Sequence, residues 1–164
     1  LFNALAEAAY LCGIERNADV VDMTSYAPML AREGKTNWNP DLIYFNGTEV
    51  HPTVNYQVQK LFGNNVGDKW LPWAVEIEGN RNSKVEARLM ASVSETAEGG
   101  KIVKLVNILP VEVTMELPAG FEGDATVTTL SGDPASRGGV PEVSSEKLSG
   151  SICLAPYSFT VIRL

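Results

Sequence analysis

The sequence predicts a mainly β chain, an antiparallel β-sandwich preceded by the closing α/β units of a larger domain. Three observations predict this. Residues 1–65 alternate helical and strand-like segments, and from about residue 66 the apolar residues recur at every second position. The first helical segment is also apolar on nearly every side, so it needs cover from more than one neighbour.

Taken in order, residues 1–16 open with "LFNALAEAAYLCG", rich in Ala and Leu, with Gly13 the one poor helix former. Leu1, Phe2, Leu5, Ala6, Ala8, Ala9, Leu11 and Cys12 leave almost no polar face, and Asn17 is suited to close the helix. "ADVVDM" then predicts a short strand whose Val20, Val21 and Met23 form the near-continuous apolar run of a parallel strand covered on both faces. "DLIYF" is a second short strand candidate. Thr53 is a good N-cap for "VNYQVQKLF", where Val54, Val58, Leu61 and Phe62 fall at helical spacing, and "GNNVGD" breaks the chain after it.

The second region reads in period two. "KVEARLMASVS" alternates Val85, Ala87, Leu89, Ala91 and Val93 with mostly polar neighbours. "VEVTMELP" sets Val111, Val113, Met115 and Leu117 against Glu112, Thr114 and Glu116. "LPWAVEIEG", "KIVKLVNIL", "DATVTTL", "EVSSEKL" and "YSFTVIRL" complete about seven strands. The turn signals "EGN", "EGG", "PAGFEG", "SGDPASRGG" and "LSG" separate them, the spacing of an antiparallel sandwich. The division is therefore 1–65 and 66–164. One strand pair and two apolar helices do not enclose a core, so the first region is expected to be the tail of a larger α/β domain. Its first helix is expected either to self-associate or to pack onto the sandwich.

Composition narrows the function classes. The 164 residues are 45 % hydrophobic and 20 % charged, with a net charge of −7 and no basic cluster, a field that repels phosphate backbones and excludes nucleic acid as a partner. No apolar run reaches membrane-spanning length, so no membrane partner is expected. Cys12 and Cys153 form neither a metal spacing nor a disulfide framework and are expected to be small buried apolar residues. The single histidine, His51, precedes a proline and reads as a loop residue, and no HExxH, CxxC, Walker, GxGxxG or GxSxG motif occurs.

Glycoside hydrolysis needs only two carboxylates in the right geometry. Glu7 and Glu15 on the first helix read as a solvated stripe, and Asp19 suits a strand entrance. Asp22 interrupts an apolar strand and is expected to be a hydrogen-bonded acid, while Asp41 after Pro40 is placed to cap or turn the chain. Trp70 and Trp73 straddle the passage between the regions and are expected to pack that interface. Tyr26 and Trp38 flank loops that follow strands, where α/β barrels keep their active sites. Packing and ligand contact fit them equally.

Three stretches, "LAEAAYLCGIERNADVVDMTSYAPML", "WNPDLIYF" and "TVNYQVQKLFGNN", resemble the end of the catalytic domain in α-L-arabinofuranosidases of glycoside hydrolase family 51. "KLVNILPVEVTMEL" and "LAPYSFTVIRL" resemble that family's C-terminal β-sandwich. The resemblance implies a (β/α)8 barrel followed by a jelly-roll-like sandwich, with residues 1–65 the end of the barrel. It implies a retaining, exo-acting hydrolase that removes terminal arabinofuranosyl groups from arabinan and arabinoxylan with two glutamates, without metal or cofactor. The implied partners are the remainder of its own barrel, an arabinose-containing polysaccharide or oligosaccharide, and further copies of itself in a homo-oligomer. Polysaccharide-degrading relatives are often exported.

In that family the two glutamates sit in Asn-Glu and Glu-Trp contexts on earlier barrel strands, and neither dipeptide occurs here. The match makes "DVVDMTS" the eighth barrel strand and "TVNYQVQKLF" the last barrel helix, so the catalytic pair falls outside this chain. Ser25 and Tyr26, at the end of the eighth strand, are expected to border the sugar, and Trp38 to supply an apolar face at the pocket rim. A sugar-contacting glutamine found in some members corresponds here to Pro28, so that role does not carry over. The competing expectation is a sandwich that is itself a carbohydrate-binding module, although residues 74–164 hold only Phe121, Tyr157 and Phe159 as aromatics.

Overall fold

The computed structural model describes residues 1–77, 82–136 and 138–164. Helix α1 spans Phe2–Arg16 and closes at Asn17, whose side-chain amide donates to Gly13 O at 2.7 Å. A small sheet follows from β1 (Leu30–Arg32), β2 (Ile43–Phe45) and β3 (Val50–Pro52), with β1 parallel and β3 antiparallel to β2. Helix α2 spans Val54–Asn64, and its N-cap is Thr53: the hydroxyl accepts from Tyr56 N at 3.4 Å and donates to Leu42 O at 2.8 Å.

The remaining strands are β4 (Lys69–Leu71), β5 (Leu89–Glu95), β6 (Lys101–Asn107), β7 (Val113–Glu116), β8 (Gly123–Ser131), β9 (Glu142–Leu148), β10 (Ser151–Leu154) and β11 (Ser158–Arg163). Six of them form one antiparallel sheet in the order β4-β5-β6-β11-β8-β9, and β7 and β10 pair as an antiparallel ribbon. Gly99 between β5 and β6 and Gly150 between β9 and β10 take positive φ, which a side chain would resist.

The large sheet is covered on both faces. Ala91, Val93, Val103, Leu105, Val127 and Ile162 pack against Met115, Leu117, Ile152 and Leu154 of the ribbon side. On the opposite face Ile102, Val106, Phe159 and Val161 pack against Leu5, Ala8 and Cys12 of α1 and Val58 and Phe62 of α2. The rings of Phe62 and Phe159 stack at 5.2 Å. Double cover explains why β6 and β11 are buried along almost their whole length, where a sheet wetted on one side would alternate. Lys104 lies on the helix face, wholly buried, with its ammonium 4.9 Å from the Phe62 ring centre and bonded to Glu15 of α1. Of the two outcomes expected for the apolar first helix, the chain realises packing onto its own sandwich.

Several expectations are corrected. Residues 18–23 form no strand: the chain turns through 17–20 and runs on unpaired, with Val20 and Met23 exposed. A parallel strand needs hydrogen-bonding neighbours, and this segment pairs with no described strand. Residues 83–86 are a helical turn, α3 (Ser83–Glu86). The Asn82 side chain accepts from Lys84 N at 3.1 Å there, so capping overrides the alternation and β5 starts only at Leu89. No strand covers 72–77 of "LPWAVEIEG", whose pairing is confined to β4, and the "EGN" turn lies outside the described residues. Val111 lies before β7 and is exposed. Strand β10 is an addition, a four-residue element with only Ile152 and Leu154 facing inward. The same alternation turns Cys153 outward, whereas Cys12 is buried as expected and its thiol is pushed up to about 12, chiefly by burial.

Candidate functional site

The segment between α1 and α2 presents the candidate residues. Its loop 36–41 is tied to itself. Thr36 Oγ1 accepts from Trp38 N at 3.1 Å, and its proton faces Trp38 O at 3.1 Å and Asp41 Oδ2 at 3.3 Å. Tyr44 Oη accepts from Asp41 N at 2.9 Å and donates to Asn39 Oδ1 at 3.0 Å. Asp41 is buried at the centre of these contacts, as its expected turn role requires, and the Asn39-Pro40 peptide is cis. The loop thus holds its shape while the Trp38 indole stays 65 % exposed.

Beside it, His51 on β3 lies opposite Tyr44 on β2. His51 Nδ1 is 2.5 Å from Glu33 Oε1, and Nε2 is 3.4 Å from Glu49 Oε2. The hydrogen bond to Glu33 raises the imidazole pKa above its ordinary value, and the same bond lowers that of the Glu33 carboxyl. Trp38, Tyr44, His51, Glu33, Asn37 and Asn39 line a groove of about 860 Å³ together with residues 1–3 and 134–136. His51 is therefore a paired strand residue, and the sequence carried no signal for it, since its neighbour Tyr44 is set by the β2-β3 register.

Ser25 and Tyr26 do not line this groove. Ser25 is exposed. Tyr26 is partly buried, and its phenol is pushed up first by burial and next by the Glu7 carboxylate, with Asp41 and Tyr44 contributing. Glu7 accepts from Asn55 Nδ2 at 2.5 Å and also from Gln59, which joins α1 to α2; it is no solvated stripe. Glu15 likewise points inward to Lys104. Asp22 is exposed and sits on a second cavity of about 430 Å³, with Glu15, Val21, Phe62, Asp68 and Trp70. Trp70 thus borders the junction of the two regions, whereas Trp73 packs on the sandwich core away from the helices. The structure brings Trp38 together with polar groups in the groove, while Ser25 and Tyr26 lie outside its lining and Tyr26 still feels the charges of Asp41 and Tyr44.

A family model described as the α-L-arabinofuranosidase C-terminal domain matches residues 1–142. The chain belongs to this family. Among curated proteins, this arabinofuranosidase C-terminal domain is 38 % identical over 130 residues to an extracellular exo-α-L-arabinofuranosidase of Streptomyces chartreusis, covering 79 % of the chain and 15 % of that protein. It is 39 % identical over 89 residues to α-L-arabinofuranosidase 1 of Arabidopsis thaliana, covering 54 % of the chain and 13 % of the relative. The chain therefore spans only a small part of the relatives it matches. Among solved structures, an arabinose-bound GH51 α-L-arabinofuranosidase superposes with a TM-score of 0.82 at 28 % identity, over 98 % of this chain and 27 % of the other. The Thermotoga maritima enzyme in its arabinose complex shares the fold, with a TM-score of 0.67 at 17 % identity over 98 % and 38 % of the two chains.

Proposed function

We propose that this domain is the C-terminal part of a retaining, exo-acting α-L-arabinofuranosidase that removes terminal arabinofuranosyl groups from arabinan or arabinoxylan. Residues 1–65 are the last α/β units of its (β/α)8 barrel, and residues 66–164 are its sandwich, of jelly-roll type. The catalytic glutamates lie in the rest of the barrel, so the 164-residue chain by itself is structural. The apolar core runs across the 65/66 division, so the sandwich acts as the support on which the barrel's closing helices are seated.

The observation that carries this reading is the family match combined with the segment that follows α1. Val20 and Met23 are both more than half exposed on a stretch without strand partners, the apolar surface a closing barrel strand would bury. Ser25 and Tyr26 end that stretch and border the sugar, and Trp38 follows in the next loop. The binding-module reading is disfavoured by the aromatics of residues 74–164. Phe121 and Phe159 are buried and Tyr157 is partly buried, which leaves no exposed platform. The test is the anomeric outcome of hydrolysis by the whole enzyme bearing this domain. Release of β-L-arabinofuranose first from an α-linked donor, or cleavage within an unbranched main chain, would sink the proposal.

A further inference from the structure

We infer that the groove beside Trp38 binds the glycan chain to which the departing arabinofuranosyl group is attached. This rests on the activity proposed above and assigns residues to the polymer side of that substrate. The indole of Trp38 is offered to solvent by a loop whose shape is fixed by Thr36, Asp41, Asn39 and Tyr44. Its large apolar face therefore contributes nothing visible to packing, and it is presented without an ordering cost at the moment of binding. The groove of about 860 Å³ lies within the ~300–1,000 Å³ range of ligand sites, and its lining mixes the rings of Trp38, Tyr44 and Phe2 with many polar side chains.

Those groups define the ligand. Asn37 carries amide donors and an acceptor, and Asn39, whose Oδ1 is engaged by Tyr44, carries amide donors, the complement of neighbouring hydroxyls. Glu33 and Glu49 flank His51, and the chain carries −7 overall, so an anionic ligand is repelled. A protein partner would favour a continuous apolar patch, whereas here the exposed rings of Trp38 and Phe2 are set among amides. A neutral, hydroxyl-rich chain with C–H faces fits both features, and a pentose main chain carrying arabinofuranosyl branches is such a molecule.

The experiment compares kcat/KM on arabinoxylan with kcat/KM on an aryl arabinofuranoside, using the full-length enzyme bearing this domain. Trp38→Ala is expected to lower the polymer-to-aryl ratio about tenfold. Trp38→Tyr, which keeps a ring, recovers most of it, and Asn37→Ala, an exposed side chain, moves the ratio in the same direction. An unchanged ratio in Trp38→Ala and Asn37→Ala, with both substrates still turned over, overturns the inference and leaves the proposed activity standing. A wild-type enzyme that cleaves neither substrate overturns both.

Discussion

The two regions of this chain are ordered in different ways. In the sandwich, strands of up to nine residues pair along their length, and β6 and β11 are buried on both faces. Before residue 65 the strands are three residues long, one segment has no partner, and the helices bury only the faces turned to the sheet and to each other. Phe2 and Tyr10 of α1 remain exposed. The first region therefore draws its stability from the sandwich, and the sandwich uses α1 and α2 as the cover of its second face. A boundary drawn by sequence rhythm does not have to coincide with a boundary of the core.

That dependence can be broken most directly at Phe159, fully buried on the helix face and stacked on Phe62. Phe159→Ala is expected to cost about 3–5 kcal/mol, read as a shift of the urea midpoint, with α1–α2 helicity and the β signal lost together. Separate transitions for the two signals would contradict the shared core. Next comes the ion pair that crosses the same interface. Lys104→Met leaves Glu15 without its partner, and because Glu15 retains some exposure the loss is expected near the lower end, about 3 kcal/mol. A neutral result in thermal melts would mean that the pair does not couple the regions.

Smaller effects sharpen the contrast from within the first region. Thr53→Ala removes the N-cap of α2 and its bond to Leu42, an expected loss of about 1 kcal/mol by chemical denaturation. The smallest effect is at His51. Its pKa is raised by Glu33, so any stability it contributes is complete below its unfolded value of about 6.5 and fades as pH rises through the higher folded value. An imidazole NMR titration should show a pKa above 6.5 in the wild type that falls back in Glu33→Gln. A titration that ignores Glu33 would remove the pair from the account.

Helices α1 and α2, their caps at Asn17 and Thr53, and most sandwich strands were legible because each is written locally in spacing and end residues. Residues 18–23 misread because an apolar run states that a strand wants cover but cannot supply its neighbours. Ser83–Glu86 misread because one capping Asn outweighed a period-two pattern. At the site, the importance of Trp38 could be suspected from its aromatic surroundings. Its pairing with Glu33 and His51 along one groove could not, since those residues meet only through the β1-β2-β3 register.

The central claim is that this chain supports an arabinofuranosidase without performing its chemistry. Incubating the purified 164-residue chain with an aryl α-L-arabinofuranoside tests it most directly. The account predicts no release of the aryl group above the buffer control. Enzyme-dependent turnover that scales with chain concentration would contradict it.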